Sequence, residues 1–221
     1  MSKAIRTVVF DLDGTLVDSM PFVLEAFAHA IIPFAPALSP DEWRTRMGGP
    51  PERILEGLLP KPEHAAAALH RLNAYTEGRW DRVAAFDGMT TLIDDFVRSG
   101  ISLGLWTGRE RASALSILGA QRLRGKLTTC ICGDDLPSHK PDPAGLAVAL
   151  REMATAADEA IFVGDAEVDV LAGAALGVKT LLITHGLTVD TRILAMAWRT
   201  VESPVDAYNL LRGELLAGKS K

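Results

Sequence analysis

Two aspartates that lie two positions apart, Asp11 and Asp13, follow a short apolar run in the segment VVFDLDGTLVDS. Ionised carboxylates are costly to remove from water, and two neighbouring ones repel each other. A pair at the end of a buried strand therefore indicates chemistry, and carboxylate oxygens are ligands that suit a hard cation such as Mg²⁺. Each aspartate alone also suits a strand-end turn, so the interpretation depends on which other polar groups reach the same place.

Three more apolar runs are followed by residues that could serve the same site. In chain order these residues are Thr107 and Gly108 after the run that starts at 101, Lys140 after the run that starts at 127, and Asp165 and Asp169 after the run that starts at 160. Each alone has an ordinary structural explanation, as a helix cap, a loop charge or a turn residue. Together they indicate a functional site, because ligands of open parallel sheets bind beyond the carboxyl ends of the strands.

The elements that would position these residues alternate along the chain. Apolar, β-rich runs lie at 7–11, 101–108, 127–135, 160–165 and 179–186, and helical patterns lie at 88–100, 110–120, 142–154 and 166–177. Two of the helical patterns end at glycine, Gly100 and Gly177, which is typical of helix termini. Apolar strands alternating with helices predict a doubly wound α/β domain, a Rossmann-like parallel sheet covered on both faces.

Residues 17–84 break this alternation, because the segment has helical patterns throughout. An insertion of this length is too long for a simple connection between two strands, and we expect it to form a separate all-helical domain. The predicted division is an α/β catalytic core of residues 1–16 and 85–221 and a helical cap of residues 17–84.

The segments DLDGTLVDS, WTGR, HKPDP and GDAEVD resemble, in order and spacing, the four motifs of the haloacid dehalogenase-like hydrolase superfamily. The resemblance spans about residues 5–186 and is strongest to helical-capped phosphatases similar to phosphoglycolate phosphatase. It implies hydrolysis of a small phosphate monoester through an aspartyl-phosphate, with Asp11 as nucleophile and Asp13 as acid–base residue. The presence of Asp13 also argues against dehalogenation, which has no phosphate leaving group to protonate.

The same resemblance implies roles for the other residues. The metal would be held by Asp11, Asp13 through its main-chain carbonyl, Asp165 and Asp169, and the phosphoryl group by Thr107, Gly108 and Lys140, with Lys140 also catalytic. Charge arithmetic supports a cation independently. Four carboxylates sum to −4 and one lysine returns +1, and a phosphate ester adds roughly −2. We therefore expect Mg²⁺ as the cofactor.

Two alternatives stay open. A phosphomutase of the β-phosphoglucomutase type shares the paired aspartates but returns the phosphoryl group to a sugar. A receiver-like signalling module, from a different class, would be phosphorylated on aspartate without turnover. Possible substrate contacts are Gly48, Gly49 and Arg53 in the cap and Arg109 at the rim of the crevice, although the first three also suit an ordinary connection between helices.

Bulk composition narrows the choice of partners. The 221 residues carry a net charge of −5, which argues against nucleic acid or an anionic membrane as a partner. No apolar run approaches the ~18 residues of a spanning helix, and no N-terminal targeting signal is recognised. We expect a cytoplasmic monomer or homodimer that acts on a small phosphorylated substrate.

Overall fold

The computed structural model describes residues 3–47 and 49–217, without the side chains of residues 40, 41 and 44. Within these ranges the strands are β1 (Thr7–Phe10), β2 (Val17–Asp18), β3 (Ala84–Ala85), β4 (Ser102–Trp106), β5 (Thr129–Ile131), β6 (Ala160–Gly164), β7 (Lys179–Ile183) and β8 (Arg199–Val201). The helices are α1 (Met20–Ile31), α2 (Pro40–Arg46), α3 (Pro51–Leu58), α4 (Pro62–Thr76), α5 (Met89–Arg98), α6 (Arg111–Ala120), α7 (Ala144–Glu152), α8 (Glu167–Leu176), α9 (Thr191–Met196) and α10 (Pro204–Leu216). Among the described residues, no helix combines the length and the apolarity that crossing a bilayer would require.

In the described part of the chain, six strands form one parallel sheet in the order β5-β4-β1-β6-β7-β8. From β1 the chain builds β4 and β5 on one side, and it then returns to build β6, β7 and β8 on the other. The connections therefore change direction beside β1, which is where open α/β sheets bind their ligands. The predicted doubly wound parallel fold is confirmed.

The central strand β1 is buried along its whole length, with no residue more than 1% exposed. Its Val9 side chain packs with Trp106 and Phe162 in an apolar cluster to which α7 and α8 also contribute. Because side chains alternate along a strand, Val8 and Phe10 point to the opposite face. Burial on both faces explains why β1 is a continuous apolar run in the sequence.

Two glycines end helices as the sequence predicts, whereas the edge strand β8 is unexpected. Gly100 follows α5 with φ +72 and Gly177 follows α8 with φ +68, in the left-handed region where glycine costs least. The sequence analysis did not predict β8, which extends the sheet beside β7. This short edge strand is mostly exposed, so it lacks the apolar run by which the buried strands were recognised.

The chain divides into two compact units, one that runs up to Asp18 and resumes at Ala84, and one that spans Ser19–Val83. The first unit holds the parallel sheet and a small antiparallel ribbon formed by β2 and β3. The second unit is helical, with α1 to α4 around an apolar core that includes Phe27 and Trp43. These limits lie within two residues of the predicted insertion 17–84, and the function of the helical unit as a cap remains a prediction.

Candidate active site

The loop after β1 places Asp11 and Asp13 at the carboxyl edge of the sheet. The Asp11 amide donates to the carbonyl of Val163 on β6 at 2.8 Å, which continues the strand pairing as far as this residue. The chain then turns at Gly14, whose φ is +72, and a Cβ at this position would lie 2.0 Å from Asp165 Oδ2. Only glycine combines this backbone conformation with so close an approach to a carboxylate.

Lys140 joins two of the predicted carboxylates. Its ammonium donates to Asp11 Oδ1 at 2.7 Å and forms an ion pair with Asp169 Oδ1 at 2.8 Å. The ring centroids of Trp106 and Phe162 lie 4.9 and 5.3 Å from the same nitrogen, so part of its surroundings is aromatic. The two carboxylate partners offset the cost of burying this ammonium, since an unpaired buried charge would be strongly unfavourable.

Asp165 and Asp169 complete the acidic group. Asp169 lies in the first turn of α8 and accepts from the Ala166 amide at 3.1 Å, and a Cβ at Gly164 would come within 2.2 Å of Asp169 Oδ2. Ligand oxygens of Asp11, Asp165 and Asp169 all lie within 4.8 Å of one another. Three clustered carboxylates on strand ends and a helix start fit a small, hard divalent cation.

The electrostatics of this group favour a bound cation. Burial raises the pKa of Asp11 to about 8, with the charges of Asp169 and Asp165 acting in the same direction and Lys140 against them. Burial, followed by the charge of Asp169, raises the pKa of Asp165 to about 7. The pKa of Lys140 is raised, because its two carboxylate partners outweigh the opposing effect of burial. Full ionisation of these carboxylates would therefore place more negative charge in the crevice than one lysine neutralises.

The loop after β4 carries the predicted phosphoryl-binding residues. The register pairs Phe10 with Leu105, so Thr107 and Gly108 follow β4 alongside the loop that follows β1. Thr107 is buried, and its hydroxyl accepts from the Arg109 amide at 3.1 Å. A Cβ at Gly133 would lie 2.2 Å from the Gly108 carbonyl oxygen, so the loop is held closely by the chain that follows β5.

Arg109, which the sequence predicts at the rim of the crevice, has a partner that the sequence did not predict. Its guanidinium donates from Nε to Asp13 Oδ2 at 2.9 Å and from Nη2 to Asp13 Oδ1 at 2.6 Å. The predicted rim residue is thus bound to the predicted acid–base residue through both carboxylate oxygens. Such two-pronged pairs are among the strongest ionic contacts in proteins.

His185 is a site residue that the sequence analysis missed, since no ligand-like spacing singled it out. Its Nε2 lies 2.7 Å from the Gly14 carbonyl oxygen and 4.0 Å from Asp165 Oδ2. The residue has φ +52, a left-handed conformation that is uncommon for a residue with a side chain. Its place in THGL, at the end of the fifth predicted strand, was the available signal.

Two of the three predicted cap contacts, Gly49 and Arg53, lie in the helical unit. Gly48 lies outside the described residues. Gly49 has φ +95, with open space where a Cβ would stand, and Arg53 is exposed on α3. Their contact with a substrate remains a prediction.

The fold and the site together define a parallel α/β enzyme with a carboxylate-rich, lysine-bridged crevice. A sequence profile of the haloacid dehalogenase-like hydrolase family matches residues 8–183, and the chain belongs to this family.

Relatives with a named activity agree with this assignment. The chain is 30% identical over 192 residues to "phosphoglycolate phosphatase 1" of Pseudomonas aeruginosa, which covers 82% of this chain and 70% of the relative. It is 34% identical over 195 residues to the plasmid-encoded phosphoglycolate phosphatase of Cupriavidus necator, which covers 84% of each chain.

A solved structure supports the fold. A haloacid dehalogenase-like family hydrolase from Streptococcus pneumoniae superposes with a TM-score of 0.78 at 22% identity, over 94% of this chain and 98% of that one. The expected family, fold class and enzyme class, a phosphoric monoester hydrolase, are confirmed.

Proposed function

We propose that this protein is a Mg²⁺-dependent phosphatase that hydrolyses a small phosphorylated metabolite through an aspartyl-phosphate on Asp11. The observation that carries the proposal is the Lys140 ammonium, which bridges Asp11 and Asp169 next to Asp165. One crevice thus combines a carboxylate nucleophile, a buried cation and a set of oxygen ligands.

Asp11, Asp165 and Asp169 would hold the metal ion, with the main-chain carbonyl of Asp13 as a further predicted ligand. When bound, Mg²⁺ supplies positive charge that offsets the repulsion between these carboxylates and the phosphoryl oxygens. The raised pKa of Asp11 and of Asp165 supports this assignment, because both side chains need additional positive charge to ionise fully at neutral pH.

The first half of the reaction uses Asp11, Lys140 and Asp13. A carboxylate oxygen of Asp11 forms a bond to phosphorus while the bond from phosphorus to the alcohol oxygen breaks. Lys140, bound to Asp11 Oδ1, orients the carboxylate and stabilises the charge that develops on the phosphoryl group. Asp13 gives a proton to the departing alkoxide, and Thr107 with the loop amides binds the phosphoryl oxygens.

The second half returns the enzyme to its starting state. Asp13, now ionised, takes a proton from a water molecule as the water oxygen bonds to phosphorus. The bond between Asp11 and phosphorus breaks, inorganic phosphate leaves, and Asp13 is again protonated. Splitting the hydrolysis into two displacements is the advantage of a covalent nucleophile.

The names of the relatives suggest the first substrate to test, 2-phosphoglycolate. The same names favour hydrolysis over the phosphomutase alternative, and membership of a hydrolase family favours an enzyme over a receiver-like module.

A panel of phosphate monoesters, assayed for phosphate release with Mg²⁺ and with a chelator, tests the proposal. We expect at least one ester of a small metabolite to be hydrolysed with Mg²⁺, and the rate to fall by roughly 100-fold or more without it, since the metal supplies several kcal/mol of charge stabilisation. Glucose 1-phosphate belongs in the panel, because its conversion to glucose 6-phosphate without phosphate release would identify the phosphomutase. Turnover that is indifferent to the chelator, or an absence of turnover on every ester, would contradict the proposal.

The thermal stability of the protein should depend on pH and on Mg²⁺ together. The folded-state pKa values of Asp11 and Asp165, about 8 and about 7, lie above the ordinary value of 3.8. Between these limits the folded protein holds protons that the unfolded chain has lost, so the free energy of unfolding falls as pH rises from about 4 to about 8. Bound Mg²⁺ stabilises the ionised carboxylates in place of those protons. At a free concentration of about 100 times its dissociation constant, Mg²⁺ should raise Tm at pH 8 by roughly 5–10 °C.

Scanning calorimetry at pH 5 and pH 8, with MgCl₂ or with NaCl at equal ionic strength, measures this effect. Asp165→Asn is the matched variant, and it should lose most of the Mg²⁺-dependent rise. An equal rise in the variant and the wild type would place the ion elsewhere.

A further inference from the structure

The pair formed by Arg109 and Asp13 has a consequence beyond local stability. The two side chains are 13% and 33% exposed, and both oxygens of Asp13 accept from the guanidinium. Asp13 belongs to the loop after β1, whereas Arg109 belongs to the loop after β4, so the contact joins the acid–base residue to the phosphoryl-binding loop.

In this arrangement Asp13 is not free for the role that the proposed function gives it. A carboxylate that accepts from a guanidinium through both oxygens is turned toward that guanidinium and away from a leaving group. Proton transfer to the alkoxide therefore requires the pair to open. Since arginine stays charged at any relevant pH, the guanidinium is able to bind another anion when Asp13 leaves it.

The chemistry of the crevice indicates which anion this is. The phosphoryl group has its own predicted donors in Thr107, the Gly108 amide and Lys140. The guanidinium of Arg109 can bind a carboxylate or a phosphate through two nitrogens. Since the phosphoryl group has its own donors, the anion that we assign to Arg109 is a carboxylate, the group that it holds in this structure.

We propose that Arg109 determines specificity by exchanging Asp13 for a carboxylate of the substrate, which selects phosphate esters of short hydroxy acids and releases Asp13 for proton transfer. This inference rests on the proposed phosphatase function. An ester without a carboxylate leaves Asp13 bound to Arg109 and is turned over slowly, even where its phosphoryl group is bound normally.

The test compares 2-phosphoglycolate with 2-hydroxyethyl phosphate, which replaces the carboxylate with a neutral alcohol. For the wild type with Mg²⁺ we expect kcat/KM to be about 100-fold higher for 2-phosphoglycolate, because a charged contact with two hydrogen bonds is strong. In Arg109→Gln the preference should fall below about 5-fold. The loss of kcat/KM should be about 20-fold larger for 2-phosphoglycolate than for 2-hydroxyethyl phosphate, because only the first ester has a carboxylate for Arg109 to bind.

Two further variants sharpen the comparison. Arg109→Lys keeps the charge without the fork and should restore only part of the preference. Arg212→Gln removes an arginine that pairs with Asp95 at 2.9 Å in another part of the same unit, and it should leave the preference at the wild-type value. A uniform loss on both esters in Arg109→Gln, or an unchanged preference, would overturn the proposal.

A binding measurement separates this proposal from the proposed function. In the Asp11→Asn background, titration calorimetry with Mg²⁺ should show 2-phosphoglycolate bound about 10-fold or more tightly than 2-hydroxyethyl phosphate, with the difference lost on adding Arg109→Gln. If the wild type hydrolyses neither ester, only the proposed hydrolysis of these esters is contradicted. The binding preference would still support Arg109 as a carboxylate receptor. Equal binding of the two esters, or binding of neither, would overturn it.

Discussion

Replacing Asp11 with asparagine is expected to lower kcat by roughly 10⁴-fold or more, the scale seen when a covalent nucleophile is removed. The amide has nearly the shape of the carboxylate but is a far weaker nucleophile. The fold should survive, because Lys140 keeps Asp169 as a partner and because a neutral group replaces a carboxylate whose ionisation burial disfavours. Phosphate release measures kcat, and circular dichroism with a thermal melt measures the fold.

The control for this variant is Asp94→Asn. Asp94 also pairs with a lysine, Lys126, at 2.5 Å, but it is 46% exposed and lies on α5, away from the carboxyl edge that holds Asp11. We expect wild-type turnover from this control. Acid quenching of the wild type during turnover, followed by peptide mass spectrometry, should find phosphate on Asp11. Substantial activity in Asp11→Asn, or a phosphate on another residue, would remove the basis of the mechanism.

Replacing Lys140 with methionine should have the second-largest effect, because one side chain serves both catalysis and stability. Loss of a donor that stabilises developing charge costs roughly 10²–10³-fold in kcat. Removing one partner of a buried ion pair costs about 3–5 kcal/mol in the free energy of unfolding, and here it leaves Asp11 and Asp169 facing each other. The loss should be larger at pH 8 than at pH 5, since Asp11 can take up a proton at the lower pH.

Lys126→Met is the matched comparison for this variant. Its ion pair with Asp94 is similar in length to the pair of Lys140 with Asp11, but it lies near the surface, and exposed pairs contribute about 0–1 kcal/mol. Chemical denaturation at the two pH values measures both variants. If Lys140→Met unfolds no more readily than Lys126→Met and retains its activity, Lys140 has neither role.

Elements are predictable from sequence where burial imposes a pattern on the residues. Strands buried on both faces must be continuous apolar runs, so β1, β4 and β6 were recognisable, and the polar residues after them mark the edge of a site. β8 escaped recognition because an exposed edge strand is under no such constraint. The order of the strands in the sheet follows from long-range pairing, which leaves little trace in a single sequence.

The amino-acid sequence by itself determined the family, the parallel α/β class and the acidic crevice, because these depend on residue types at fixed short spacings. Only the tertiary structure decided that Arg109 holds Asp13, a partner 96 positions away, and that His185 reaches Gly14 across 171 positions. Contacts between loops at the ends of different strands depend on the register of the sheet and on side-chain direction. Local spacing does not encode either, so residues that the sequence leaves ambiguous acquire their partners only in the folded chain.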